Sequence, residues 1–244
     1  MISRLLPWSR TLDVAQPPSV TRRSGDGFVA YAAPACPDDS LMHRWVLDEP
    51  PASMAPWLQQ WRAAQPAGVE QALFVWEGRK HEAPDDAEQV VRIRCLMADQ
   101  ELLPPEGFAA ERLGGESVDD VVALLRAPHG DSEAYGRWAQ WTAEQQLGRD
   151  DAAFYGVRVD GRLVAMAGVV WDRREARLQL VHTLEGHRRQ GLGAGLVQRV
   201  VHHYQELSFG ITYAAAQAGS EAEQMLRGLG FRGTTAVTLV VAQP

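Results

Sequence analysis

The residues best suited to chemistry stand together in one short run, Arg188-Arg189-Gln190-Gly191-Leu192-Gly193-Ala194. It follows an apolar-rich, strand-like stretch (Leu178 to Leu184) and opens a strongly helical one (Leu192 to Leu207). Such a turn is built to hold phosphates. Gly191 and Gly193 can take positive φ or let a ligand approach the main chain closely. The first N–H groups of a helix point outward without intrahelical partners, and the helix dipole favours negative charge there. Two arginines add charge-assisted hydrogen bonds to phosphate oxygens. The turn has two other readings. One is a plain surface turn. The other is a dinucleotide-binding Gly-x-Gly-x-x-Gly turn, which would need its glycines directly after the strand and an acidic residue about twenty positions on. Here the glycines run 191, 193, 195, several residues past the strand.

The rest of the chain limits what ligand this can be. A net charge of −7 argues against a broad nucleic-acid or anionic-membrane surface, which needs extended basic faces. A local basic turn on an acidic protein points instead to a small anionic ligand. Cys36 and Cys95 are too few for a disulfide framework, so a reducing, cytoplasmic setting is expected. Met1 to Arg10 has no continuous apolar core, and no stretch approaches the roughly 18 apolar residues of a membrane span. No metal-ligand spacing stands out. His202 and His203 are adjacent on a helical pattern and so diverge.

The elements that must carry the turn follow from periodicity. The expected organisation is an irregular lead-in over residues 1–25, an N-terminal α/β half over 26–105 and a C-terminal domain over 106–244. Leu103-Pro104-Pro105-Glu106-Gly107 marks the linker. In the first half, residues 27–32, 41–48, 71–76 and 90–97 read as strands, and 52–64 as an amphipathic helix with Trp57 and Trp61 on its stripe. In the second, Phe108 to Leu113 reads as a strand, and Ser117 with Asp120 as a capping box for a helix. A further helix covers 132–147. Asp160-Gly161 is a two-residue hairpin turn between Phe154–Val159 and Leu163–Trp171. After the glycine turn and its helix, Ile211 to Ala216 is a strand. Ser220 with Glu223 caps a helix ending at Leu229, with Gly230 as its C′ residue and Phe231 as the hydrophobic partner. Val237 to Val241 closes the sheet.

The order β-α-α-β-β-β-turn-α-β-α-β over 108–242, together with Arg188-x-x-Gly191-x-Gly193, resembles the GNAT superfamily of N-acetyltransferases, whose signature is Gln/Arg-x-x-Gly-x-Gly/Ala. Leu229-Gly230-Phe231 with Ala222 upstream adds to the likeness. The N-terminal half resembles family members that carry a second, degenerate GNAT-like half without a phosphate turn. The resemblance implies a mixed α/β fold (α+β) with a central, mostly antiparallel sheet splayed at the cofactor site and flanked by helices. It implies acetyl-CoA, or another acyl-CoA, as co-substrate, and no metal. Its diphosphate would lie on residues 189–194 beside Arg188 and Arg189, and its pantetheine arm would pair with the main chain of Val181, His182 and Thr183. The implied reaction is acetyl transfer by direct attack of a primary amine in a ternary complex. The acceptor would be a small molecule or a peptide; no nucleic acid or membrane is expected as partner, and the protein would be a monomer or homodimer.

The proton-transfer residues are less legible. Where many family members carry a Tyr that protonates the departing thiolate, this chain has Leu226; where many carry an Asn near the start of the last helix, it has Gly219 and Ser220. Tyr213, Ser220 or solvent are the candidates for the acid, or the chain has none. The base is equally open. Strict alternation would put Arg177, Gln179, Val181 and Thr183 on the substrate side and Leu178, Leu180 and His182 on the other. Glu185, just past the strand end, is the leading carboxylate, and a bulge in the strand would redirect His182. The alternative to an enzyme is an acyl-CoA-binding sensor or structural protein without turnover. O-acylation or a longer acyl donor is a third possibility.

Overall fold

The structure is a computed structural model describing residues 19–33, 43–64, 69, 71–78, 83–208 and 210–242. The chain's beginning, through the Gln16-Pro17-Pro18 segment, lies outside the described residues, as does Cys36.

Among the described residues eleven strands form one sheet: β1 (Thr21–Gly25), β2 (Phe28–Ala32), β3 (Arg44–Leu47), β4 (Ala72–Gly78), β5 (Gln89–Ala98), β6 (Glu111–Leu113), β7 (Ala152–Val159), β8 (Arg162–Asp172), β9 (Glu175–Thr183), β10 (Ile211–Gln217) and β11 (Arg232–Ala242). Among the described residues five α-helices accompany them: α1 (Ala55–Ala64), α2 (Val118–Arg126), α3 (Glu133–Leu147), α4 (Leu192–Leu207) and α5 (Glu221–Gly228). Among the described residues no helix is long and apolar enough to cross a membrane.

The strand order is β1-β2-β3-β4-β11-β5-β10-β9-β8-β7-β6. It is nearly palindromic about the antiparallel β11–β5 pair. On one side β11 meets β4, and β4 is parallel to β3 across the helix α1. On the other, β5 meets β10, and β10 is parallel to β9 across the helix α4. Every other strand pair described is antiparallel. The two halves of the chain therefore repeat one strand–helix–strand unit and exchange a strand. β5 leaves the first half to sit beside β10, and β11 leaves the second to sit beside β4. So the last strand, expected to close the sheet, lies in its middle. Its apolar run specifies burial on both faces but not which neighbours supply it.

Alternation sorts the helices. On β8, Ala165, Ala167 and Val169 join the core beneath α4 and α5, whereas Met166 and Val170 join the core beneath α2 and α3. On β5, Val90 packs with the α1 core, and Leu96 and Ala98 with the α4 core. These positions are an even number of residues apart, so α1, α4 and α5 share one face, and α2 and α3 cover the other.

Some local signals act as their residues suggest and others give way to tertiary contacts. Asp160 and Gly161 take φ of 49° and 78°, as the two-residue turn requires. Gly230 takes φ 91°, and the Phe231 N–H reaches the Leu226 carbonyl at 3.0 Å, closing α5 as expected. Ser220 accepts from the Glu223 N–H at 3.2 Å, while Glu223 reaches back to the Gly219 N–H at 2.8 Å. Ser117 makes no such cap; Asp120 pairs with Arg158 at 2.6 Å instead, because a cross-element cation outcompetes a local N–H. The strand read over 108–113 shortens to β6. Residues 21–25, read as part of an irregular lead-in, form β1. All five are exposed, so this edge strand shows no apolar alternation to detect.

Candidate active site

A cavity of about 500 Å³ opens where β9, the turn before α4 and the first turns of α4 and α5 meet. It is lined by Val181, His182, Thr183, His187, Arg188, Arg189, Gly191, Leu192, Gly193 and Ala194, and on the α5 side by Glu221, Ala222, Gln224 and Met225. Of the ten residues expected at the cofactor, nine line it. The tenth, Gln190, is not among them; its side-chain amide donates to the Gly186 carbonyl at 3.4 Å.

The sheet makes the opening. β9 and β10 pair only over Glu175–Arg177, so the remainder of β9 leaves β10 behind. That is the splay the family likeness implied. Within the opening, β9 bulges: Met166 pairs with His182 and Gly168 with Gln179, so Leu180 and Val181 together oppose Ala167. Leu180 takes φ 49° to do this. The bulge corrects the alternation expected from sequence. Antiparallel partners share a face, so His182 joins Met166 on the α2–α3 side. This is the side of Gln179, the partner of Gly168. Leu180 packs into the α2–α3 core, while Leu178 stays with the α4 core. Thr183 turns toward α4, where its hydroxyl lies 3.5 Å from the position of a Cβ on Gly193.

The helix end is arranged for an anion. Gly191 is the N-cap of α4, with φ 79°. The first intrahelical bond runs from the Gly195 N–H to the Gly191 carbonyl at 2.9 Å, so the amides of residues 192–194 precede the ladder. No heavy atom lies within 4 Å of a Cβ built on Gly191, which leaves its approach open to a ligand. Arg188 donates from Nε to the Thr183 carbonyl at 3.2 Å, tying the turn to the strand end. Arg189, with φ 61°, forms an ion pair with Glu221 across the cavity mouth. Burial, then the fields of Arg188 and His129, push the His182 pKa below the usual histidine value. The neutral ring is favoured near pH 7.

Two expected proton-transfer residues lie elsewhere. Glu185 begins a short 3₁₀ turn (Glu185–His187), is exposed, and is not among the lining residues. Tyr213 is 5% exposed and packs with Cys95, Val75 and Val237 at the sheet centre. Its place opposite Arg177 on β9 falls in the paired part of the strand, before the opening. Cys95 is buried, and burial pushes its thiol pKa up, which disfavours a thiolate. Leu226 is buried in the α4 core. Trp61 is buried beneath α1, and Trp57 packs edge-on against Phe28, so both are structural.

The corresponding helix end in the first half is filled by the chain itself. The Asp86 carboxylate accepts from the Met54 N–H at 2.9 Å, from the Ala55 N–H at 3.3 Å and from the Ser53 hydroxyl at 2.7 Å, all at the start of α1. The Ser53 hydroxyl, and after it the Met54 N–H, hold the Asp86 pKa below the usual carboxylate value. Sequence reading missed this residue, and also the α5 wall of the cavity. Both depend on which elements meet in space.

Residues 118–231 match the profile described as Acetyltransferase (GNAT) family. This stretch is similar to a GNAT acetyltransferase domain. Among solved structures, a functionally unknown conserved protein from Staphylococcus epidermidis is similar over 100% of this chain and 99% of its own, with TM-score 0.74 and 13% identity. A GCN5-related N-acetyltransferase from Kribbella flavida is similar over 100% and 96%, with TM-score 0.66 and 22% identity. An acetyltransferase from the GNAT family of Novosphingobium aromaticivorans is similar over 91% and 90%, with TM-score 0.62 and 22% identity. The likeness in fold thus extends through the N-terminal half. Among curated proteins, no sequence relative matches this chain.

Proposed function

We propose that this chain transfers an acetyl group from acetyl-CoA to a primary amine of a small-molecule or peptide acceptor. The match of residues 118–231 to an acetyltransferase family supports acyl transfer from an acyl-CoA in general. The single observation that carries the finer reading is the meeting, in one cavity, of an anion-ready helix end and an unpaired strand edge. Leu192–Ala194 amides and Arg188 would hold the diphosphate. The free edge of β9 at Val181 to Thr183 would pair with the pantetheine arm as an added strand. The bound thioester supplies an activated acyl carbon next to the bulge, where a main-chain N–H polarises its carbonyl. Oxyanion-type donors of this kind contribute roughly 3 kcal/mol each.

His182 is the titratable wall residue best placed to take the amine's proton. The bulge turns it to the face opposite α4, and its lowered pKa leaves the ring free to accept. Attack of the amine nitrogen on the thioester carbonyl forms the amide, the C–S bond breaks, and the thiolate takes up a proton from solvent or a nearby group. With Asp86 in the place of a phosphate, the N-terminal half serves as scaffold and cleft wall, and the chain takes one carrier.

One observation favours a second reading, a carrier-binding sensor without turnover. The position expected for the general acid is the buried Leu226, and neither Glu185 nor Tyr213 reaches the cavity. Two measurements separate the readings: calorimetric titration with CoA and acetyl-CoA, and thiol release from acetyl-CoA across an amine panel. Binding with amine-dependent thiol release supports the enzyme. Binding without release on any amine supports the sensor, and absence of binding overturns both.

A further inference from the structure

We infer that Glu221 competes with the carrier's phosphates for Arg189, and so sets the affinity and salt dependence with which the cavity takes an anionic pantetheine carrier. This rests on the carrier-binding reading above and adds a residue to it that the motif does not contain.

Arg189 belongs to the signature turn and was expected to face phosphate. It is instead ion-paired to Glu221, which arrives from α5, a different element. Both side chains line the cavity, and both are mostly exposed, at 82% and 72%. Neither is held by burial, so the pair can open at little cost. Glu221 is also the first residue of α5, where a carboxylate is favoured by the helix dipole. A phosphate arriving at α4 therefore meets a negative charge at the mouth and an arginine already neutralised. To recruit Arg189 it must displace the carboxylate. Besides Arg189 and Glu221, the charged or imidazole side chains lining the cavity are Arg188 on the turn, His187 before it and His182 on β9. Glu223, two residues along and on the other side of the helix, is occupied by Arg227 at 2.8 Å and by the Gly219 N–H. Glu221 is thus the carboxylate among the lining residues, and Arg189 is the cation it holds.

The first half shows what a stronger version of this competition does. There Asp86 takes the main-chain amides of α1 themselves, and the helix end is closed. Glu221 engages only a flexible guanidinium, so its effect is graded.

The test is a double-mutant cycle on CoA affinity by calorimetry: wild type, Glu221→Gln, Arg189→Gln and the double variant, with uncharged pantetheine as the control ligand. Exposed ion pairs of this kind correspond to about a two- to fivefold change in an equilibrium constant. Glu221→Gln is expected to tighten CoA by about that factor at low salt, to leave pantetheine unchanged, and to lose the gain when Arg189 is already Gln. The gain should fade near 0.5 M salt, where screening acts over roughly 4 Å. A merely structural Glu221 would alter melting temperature without this salt and ligand-charge dependence. Unchanged or weaker CoA binding by folded Glu221→Gln overturns the inference, as does a gain that persists without Arg189. Wild-type protein that binds no CoA at all overturns the carrier reading as well.

Discussion

Replacing Gly191 by Asp imports into the second half the plug that Asp86 provides in the first. Gly191 caps α4 at φ 79°, a left-handed conformation that costs an ordinary L-residue about 1–2 kcal/mol and Asn or Asp less. The space beyond its Cα is open to 4 Å, so no steric cost within the protein is added. Gly191→Asn and Gly191→Asp should therefore melt within a few degrees of each other, since about 1 kcal/mol shifts a chain of this size by roughly 2–4 °C. The helix dipole even favours the Asp. Binding should separate them. A carboxylate about 5 Å from a phosphate repels it by less than 1 kcal/mol per unit charge in bulk water and by about 3 kcal/mol at an effective dielectric of 20. The net Asp-against-Asn penalty on CoA is therefore about 1–3 kcal/mol, roughly 5- to 150-fold in Kd. Calorimetry with CoA measures the gap, and thermal melts confirm the folded state. Equal affinity of two folded variants would refute the placement of the diphosphate at α4.

Two further outcomes follow from the proton equilibria. The Asp86 carboxyl is held below its usual range in the folded protein, so its contribution is present above the unfolded value near pH 4 and is lost as pH falls through the folded one. Asp86→Asn should thus be less stable than wild type in urea at pH 7, with the deficit shrinking in acid, while wild type still binds one CoA per chain. For His182 the unfolded state takes up its proton first, because the folded pKa is lowered, so the residue costs stability as pH drops below about 6.5. An NMR titration should place its midpoint below that value, and His182→Gln should remove the acidic limb of kcat/KM while CoA still binds. An unshifted midpoint or an unchanged limb dismisses His182 as base.

The local grammar of the chain was largely legible because its signals are short-range. The Asp160-Gly161 turn, the Ser220 cap and the Gly230 stop each rest on neighbours within a few residues. The extent of α4, Leu192–Leu207, follows from its apolar stripe and the glycines before it. The wall position proposed for proton transfer was not legible for the opposite reason. Alternation assumes an unbroken strand, and one extra residue at Leu180–Val181 carries His182 to the other face. Nothing in the side chains from Leu178 to Thr183 marks where that residue is inserted; the partner strand and the parting of β9 from β10 select it.

The sequence by itself determined that a basic, glycine-spaced turn stands between a strand and a helix, and that the chemistry there suits a phosphate-bearing ligand. That follows from backbone freedom and helix-end electrostatics, which are local. Only the tertiary structure decided that β5 and β11 change places between the halves, that α5 supplies the second wall, and that Asp86 and Glu221 come to rest at helix ends and cations far from them in the chain. Those partners are chosen by which surfaces bury one another, and burial is a property of the whole assembled sheet rather than of any window of residues along it.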